Sequence, residues 1–356
     1  MTATMQSNSS SNMDSIDIAK FAMSVVIVAI HSSLGGSWKS SFIFPWARIA
    51  VPIFFIISAF LFFRKYVLLK EVSDQNARLK RFAIRNMQLY AFWFVVLLIP
   101  TIRLRNYFAA GLVPGLIQML RGFFFGSTFF ASWYIMALLI AVLIIALLMR
   151  AKVPNGVLFV VFGALYVFAC LSCNYRNLFD DTITQAMGRL FSMFGGPYNN
   201  FVVALFWVFV GKFIAEHEAS IRAAYSNRNG KAIAWIVLVA GCVLLYGEQH
   251  LIRTYELAVA NDCFLLLPIP STALFIILLN TEMHTNHASL LRAASTITYC
   301  FHGTFVLTLR SVLKETGFYD FGVLEFLITL GVSWLITYAI LKLEKKPALR
   351  ILRFSH

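Results

Sequence analysis

Ten stretches of this chain, each close to 20 mostly apolar residues, are separated by short polar segments: 15–35, 41–63, 86–103, 129–149, 154–173, 199–216, 231–248, 262–280, 293–312 and 321–343. About 20 such residues in a helix cross the hydrocarbon of a bilayer, where backbone polar groups must be satisfied within the segment itself. The expected fold is therefore all-α and integral to the membrane, a bundle of about ten transmembrane helices. Composition agrees. Hydrophobic residues make up 60% of the 356, charged residues only 13%, and mean hydropathy is +0.76, whereas soluble domains carry about twice that charged fraction. Such a length leaves little room for a soluble catalytic domain. Residues 104–128 are expected to lie in the interface or to re-enter the membrane. Residues 174–198, with Asp180, Asp181, Arg189 and Gly195-Gly196-Pro197, read as a structured external loop. No internal repeat is evident.

The net charge of +14 is an orientation signal rather than a nucleic-acid footprint, because Lys and Arg gather in alternate loops. With the N-terminus inside, nineteen of them fall on the cytoplasmic side and nine outside, with Lys20 and Arg48 within spans. Both termini are thus expected in the cytoplasm of a cell whose plasma or inner membrane holds the protein. Residues 1–14 are polar and without Lys or Arg, read as a disordered tail with no secretory leader. Residues 15–345 form the transmembrane domain, and 346–356 a basic tail against anionic lipid. Cys170 and Cys173 have C-x-x-C spacing without a second pair, so buried apolar cysteine is the reading and no metal is expected.

Ionisable side chains within spans are costly and mark function. Asp17, Lys20 and His31 all fall in the first span. On a helix, Lys20 and His31 share a face about 16 Å apart along the axis, with Asp17 near the same face. The topology places His31, Arg48 and His302 in the outer half of the membrane and Lys20 toward the cytoplasm. Ser295, Tyr299 and His302 are spaced i, i+4, i+7, one stripe of the ninth span. Glu325 in the last span is expected to pair with a neighbouring helix.

The run Arg48-Ile49-Ala50-Val51-Pro52-Ile53-Phe54-Phe55-Ile56-Ile57-Ser58-Ala59-Phe60-Leu61 is the most distinctive in the chain. Together with Asp17, Lys20 and His31 it resembles the acyltransferase 3 family, which opens with an acid, a base and a histidine and continues with an Arg before Pro-x-Phe-Phe-x-x-Ser-Gly-Phe-Leu. Ala59 stands where the family has Gly, at some cost in close helix packing. Arg78-Leu79-Lys80-Arg81-Phe82-Ala83-Ile84-Arg85 resembles the family's basic R-x-x-R element, with Arg78/Arg81 and Arg81/Arg85 both fitting. Ser132-Trp133-Tyr134 and Ser295-x-x-x-Tyr299-x-x-His302 resemble its later motifs.

The resemblance implies an O-acyltransferase that moves an acyl group, most often acetyl, from cytoplasmic acyl-CoA to a hydroxyl of a cell-surface glycan or its lipid-linked precursor. No tightly bound cofactor is implied; acyl-CoA is the co-substrate. A sugar hydroxyl needs a base to attack, and imidazole, with an unperturbed pKa of ~6.5, is suited to it. His31 is the expected base. Arg48 is the expected oxyanion donor, with Tyr299 or His302 as a second. Asp17, Lys20, Arg78, Arg81 and Arg85 are the expected donor-binding residues, since CoA phosphates take cations. Direct transfer is preferred, and Ser32, Ser33 and Ser58 are the alternatives for a covalent acyl-enzyme. The rival class is a transporter or flippase, whose intramembrane charges would line a path.

Overall fold

The computed structural model describes residues 2–32, 44–193, 196, 199–258, 262–315 and 322–356. Among them the chain is helical throughout, without strands. Helix α1 is Thr2–His31, α2 Phe44–Ala47, α3 Ala50–Tyr66, α4 Val72–Val96, α5 Leu98–Arg105, α6 Leu112–Phe125, α7 Ser132–Arg150 and α8 Asn155–Cys173. Then come α9 Asp181–Met193, α10 Phe201–Glu216, α11 Glu218–Ser226, α12 Arg228–Thr254, α13 Pro268–Asn280, α14 Ala288–Glu315 and α15 Gly322–Leu343. A 3-10 segment, Pro347–Ser355, follows.

Each of the ten expected spans carries helix, though fewer of these helices, among the described residues, are long and apolar enough to cross a membrane. Five are long and apolar enough among the described residues: Pro45–Tyr66, Ser132–Arg150, Asn155–Cys173, Arg228–Thr254 and Gly322–Leu343. A sixth is reached if α4 and α5, bent by 70° at Leu97, count as one broken span. Helices α10 and α13, with 16 and 13 residues, are short for a full crossing. Residues 104–128 hold the short apolar helix α6. The expected external loop 174–198 instead contains α9, whose Ile183, Met187, Leu190 and Phe191 repeat at i, i+4, i+7 and i+8, a helical period that the charges on either side obscured. Gly195 and Pro197 lie outside the described residues.

Local chemistry sets the boundaries. Asn200 caps α10, its side-chain oxygen accepting from the amides of Val202 and Val203, and Asn227 does the same for α12 at Gly230. Pro268 opens α13 where no intrahelical amide partner is needed. In α15 the buried Thr329, Ser333 and Thr337 hydroxyls each donate to the carbonyl four residues back. A polar stripe inside an apolar helix is thereby satisfied without a partner helix.

Helices α3, α7 and α10 form the centre, with Phe55, Phe60, Phe63 and Trp207 fully buried. The backbones of α3 and α10 approach closely at Gly211, where an added Cβ would lie 2.6 Å from the Ile56 carbonyl oxygen and 2.7 Å from the Ala59 Cβ. The small residue expected at position 59 is thus matched by a glycine on the facing helix, which is how Ala59 fits. Helix α1 packs on α14, where the Ser295 hydroxyl donates to the Lys20 carbonyl at 3.0 Å and Arg292 Nε lies 3.2 Å from the Asp17 carboxylate. That pairing sets the face of α1 that carries Lys20 and His31.

Candidate active site

Two cavities flank the centre, and the sequence-selected residues divide between them. The first, about 350 Å³, is lined by His31 from α1, Arg48, Trp133 from α7, Asp262, and Tyr299 and His302 from α14. The second, about 460 Å³, is lined by Lys20 from α1, Arg78, Arg81 and Arg85 from α4, Ser58 from α3, Tyr134 from α7, and Tyr299. We refer to them as the histidine cavity and the arginine cavity. Tyr299 lines both. Around it, the Phe54 and Tyr134 rings sit 5.5 and 5.1 Å away between centroids, so three aromatic rings form the partition.

In the histidine cavity, the rings of His31 and His302 are 5.3 Å apart. Nδ1 of His302 lies 3.1 Å from the Thr298 carbonyl and 2.8 Å from that of Tyr299. Carbonyls only accept, so Nδ1 carries the proton and Nε2 is left with its lone pair. That Nε2 is buried and has no hydrogen-bond partner among the described residues. A buried, unpartnered acceptor next to a second imidazole is a place where an incoming hydroxyl proton can go.

Phe130 wedges against both rings, edge-on to His31 at 4.8 Å and to His302 at 5.9 Å. It fits because residue 303 is glycine: a Cβ there would lie 1.8 Å from the Phe130 ring. The loop carrying Phe130 is held by Tyr107, whose hydroxyl donates to the Thr128 carbonyl at 2.8 Å, by a Tyr90–Thr128 hydroxyl contact, and by the Thr128 amide on the Ser132 hydroxyl.

Arg48, the expected oxyanion donor, forms an ion pair with Asp262. The segment bearing Asp262 is pinned at several points. Asn174 accepts from the amides of Asp262 and Cys263, Glu248 accepts from those of Leu265 and Leu266, and Tyr166 donates to the Phe264 carbonyl at 2.7 Å. The guanidinium is therefore held in place as well as charge-balanced. Asp262, Asn174 and Glu248 had no sequence motif to mark them, being 214, 126 and 200 residues from Arg48.

The expected donor-binding residues separate. Lys20, Arg81 and Arg85 line the arginine cavity, and Arg81 and Arg85 carry no ion pair among the described residues. Arg78 lines it too, but its Nε and one Nη are bound to the Phe62 carbonyl at 3.1 and 2.8 Å and the group stacks over the Phe62 ring. Much of its donor capacity is spent holding α3. Asp17 lines neither cavity and is paired with Arg292. Ser58 donates to the Tyr134 hydroxyl at 2.9 Å, since that hydroxyl itself donates to the Phe54 carbonyl. Ser32 is near the Ala29 carbonyl, and Ser33 lies outside the described residues. Glu325 pairs with Arg310 through two contacts of 2.7 and 2.9 Å, as expected of it, and Arg310 also donates to the His31 carbonyl at 2.9 Å. The five cysteines are free, and no group of His, Cys, Asp or Glu fit for a metal occurs among the described residues.

Neither a curated protein nor a solved structure matches the chain. The sequence profile of one family does, described as an acyltransferase domain and matching residues 13–341, nearly the whole length. That family consists of membrane acyltransferases, which leaves the transporter reading without support. Its match takes in α1 from residue 13 onward, the motif-bearing helices α3, α4, α7 and α14, and every residue of the histidine cavity: the chain belongs to the acyltransferase 3 family.

Proposed function

We propose that the protein moves an acyl group, acetyl in the first instance, from acyl-CoA to a hydroxyl of a cell-surface glycan or its lipid-linked precursor. The arginine cavity faces the cytoplasm and takes the donor. Its cations bind phosphates, and the thioester reaches past Tyr299 toward the histidine pair. The rise from Lys20 to His31, about 16 Å along α1, matches an extended pantetheine arm.

The acceptor hydroxyl enters the histidine cavity. His31 takes its proton as the oxygen attacks the thioester carbonyl, and the tetrahedral oxyanion lies toward Arg48. Collapse breaks the carbon–sulfur bond, and the thiolate leaves with the proton that His31 releases, giving an ester and CoA thiol. Oxyanion stabilisation in such a water-poor site contributes about 3 kcal/mol. His302, with its Nε2 lone pair beside the His31 ring, is a second acceptor for that same proton. Direct transfer suits Ser58 better than an acyl-enzyme, because its hydroxyl is committed to Tyr134.

The observation that carries this reading is that Tyr299 belongs to both cavities. A cationic donor chamber and a two-histidine chamber meet at one side chain. Mass spectrometry of surface glycans from cells with and without the gene tests it. We expect a mass increase of one acyl group that disappears with His31→Ala. Glycans of unchanged mass in both cells would contradict it.

A further inference from the structure

A third cavity, about 510 Å³, adjoins the arginine cavity and shares Lys20, Arg85, Arg292 and His356 with it. Its remaining lining includes Lys345 and Glu344. Lys345 and the tail residue His356 lie beyond the family match, which ends at 341. This part of the wall is therefore not assigned by membership in the family.

The tail is seated rather than loosely apposed. Ser355 is fully buried, and its carbonyl accepts from the indole Nε1 of Trp93 on α4 at 3.0 Å, with Trp93 itself 1% exposed. The Ser355 hydroxyl meets His356 Nδ1 at 3.0 Å, and His356 Nε2 lies 3.6 Å from the Glu344 carboxylate. The ring is thereby held against the cavity wall. Four cations face one carboxylate there: Lys20, Arg85, Arg292 and Lys345 against Glu344. Asp17, the partner of Arg292, is outside the lining. Arg85 and Lys345 carry no ion pair among the described residues. Like charges gathered in a half-enclosed space repel, and an anion that enters relieves that repulsion while accepting charge-assisted hydrogen bonds.

We propose that the C-terminal segment completes a second anion subsite, formed by Arg85, Arg292, Lys345 and His356, that takes a phosphomonoester of the acyl donor. The proposal rests on the acyl-CoA reading above. CoA carries a pyrophosphate and, apart from it, a ribose 3′-phosphate. Two adjoining cationic chambers correspond to those two groups: Arg81 serves the pyrophosphate, the tail subsite serves the monoester, and Arg85 stands on the wall they share. The shared walls favour the donor over a phospholipid headgroup, whose phosphodiester is the other phosphate source at this surface.

The test compares CoA with dephospho-CoA, which lacks only that monoester, as competitors for labelled acetyl-CoA on full-length protein in phosphatidylcholine nanodiscs. CoA is expected to bind at least about tenfold more tightly. In the double variant Lys345→Ala with His356→Ala, CoA weakens until the two ligands bind within about twofold of each other, dephospho-CoA still binding. Equal binding of both ligands to the native protein overturns the subsite alone, as does an undiminished preference in the double variant. Binding of neither ligand overturns the acyl-CoA reading and the subsite with it. Repeating the measurement with phosphatidylglycerol in the nanodiscs separates the two phosphate sources. An unchanged preference supports the donor; a preference erased by that lipid assigns the subsite to a headgroup and overturns the proposal.

Discussion

The imidazoles of His31 and His302, from helices far apart in sequence, face each other at 5.3 Å between ring centroids. The proton on His302 Nδ1 is fixed by two backbone carbonyls, which leaves Nε2 as a lone pair in the same cavity as His31. Two groups that handle one proton give non-additive losses. His31→Ala and His302→Ala are each expected to lower kcat by about 10²–10⁴-fold, and the double variant to be little worse than His31→Ala alone. Fully multiplicative losses in acyl-transfer assays would mean that the two rings act independently.

Gly303 allows that pairing. A Cβ at this position meets the Phe130 ring at 1.8 Å, so Gly303→Ala must push Phe130 away from both histidines. Overpacking of this kind costs about 1–3 kcal/mol. We expect a lowered melting temperature together with a loss of transfer, and partial recovery of both when Phe130→Ala is added. No recovery in the combined variant would separate Gly303 from Phe130.

Tyr299 partitions the two cavities, with Phe54 and Tyr134 against it. Tyr299→Ala should open the partition to water. The expected result is a rise in acetyl-CoA hydrolysis relative to transfer, measured as free thiol released against ester formed. Tyr299→Phe keeps the ring and should keep the ratio near that of the native protein. Hydrolysis unaltered by the alanine would place the barrier elsewhere.

Glu325 is 2% exposed and is held by Arg310 through paired contacts. Removing Arg310 leaves a buried carboxylate behind. Because Arg310 is itself 43% exposed, the destabilisation by Arg310→Ala is set at about 2 kcal/mol, below the ~3–5 of a fully buried pair. Glu325→Gln should cost less, since the charge that then loses its carboxylate, Arg310, is partly exposed to water. Melting of the purified variants checks the order; a milder effect from Arg310→Ala would reverse the argument.

The seat of the tail should depend on pH. Burial pushes the His356 imidazole below its usual range, Arg85 adds to this, and Glu344 draws it partly back; Lys20, Arg292 and Lys345 line the same cavity. A histidine with a lowered folded pKa favours the neutral ring, so its contribution is present above about pH 6.5 and is lost as pH falls through the folded value. Hydrogen exchange of residues 347–355 should accelerate between about pH 7.5 and 5 beyond the intrinsic rate, and His356→Gln should remove the excess. Equal protection across that range in the native protein would contradict it.

Local spacing made part of this legible. A spacing of eleven residues from Lys20 to His31 is enough to put both on one helical face, and they line successive cavities. Glu325 announced its need for a partner by its place in an apolar run. What the sequence could not reveal is where distant segments meet. Arg48 looks like an isolated cation until Asp262, pinned through Asn174 and Glu248, arrives beside it. Arg78 and Arg85 read alike as members of one basic run. Only the position of the end of α3 decides that Arg78 is occupied with the Phe62 carbonyl. The tail likewise reads as basic and lipid-facing, yet Trp93 holds its far end against α4. Ten apolar runs do not give ten helices of full-crossing length: α13 has 13 residues, six of them buried, so apolarity there also reflects packing.

In the proposed reaction, donor and acceptor meet from opposite cavities at the histidine pair. Sealed vesicles of the purified protein, loaded with acceptor glycan on one side and given acetyl-CoA labelled in its acetyl group on the other, test it most directly. Label should appear on the glycan only when acetyl-CoA is supplied on the face of the arginine cavity, and not at all with His31→Ala. Labelling that proceeds equally from either face, or that survives the substitution, would contradict it.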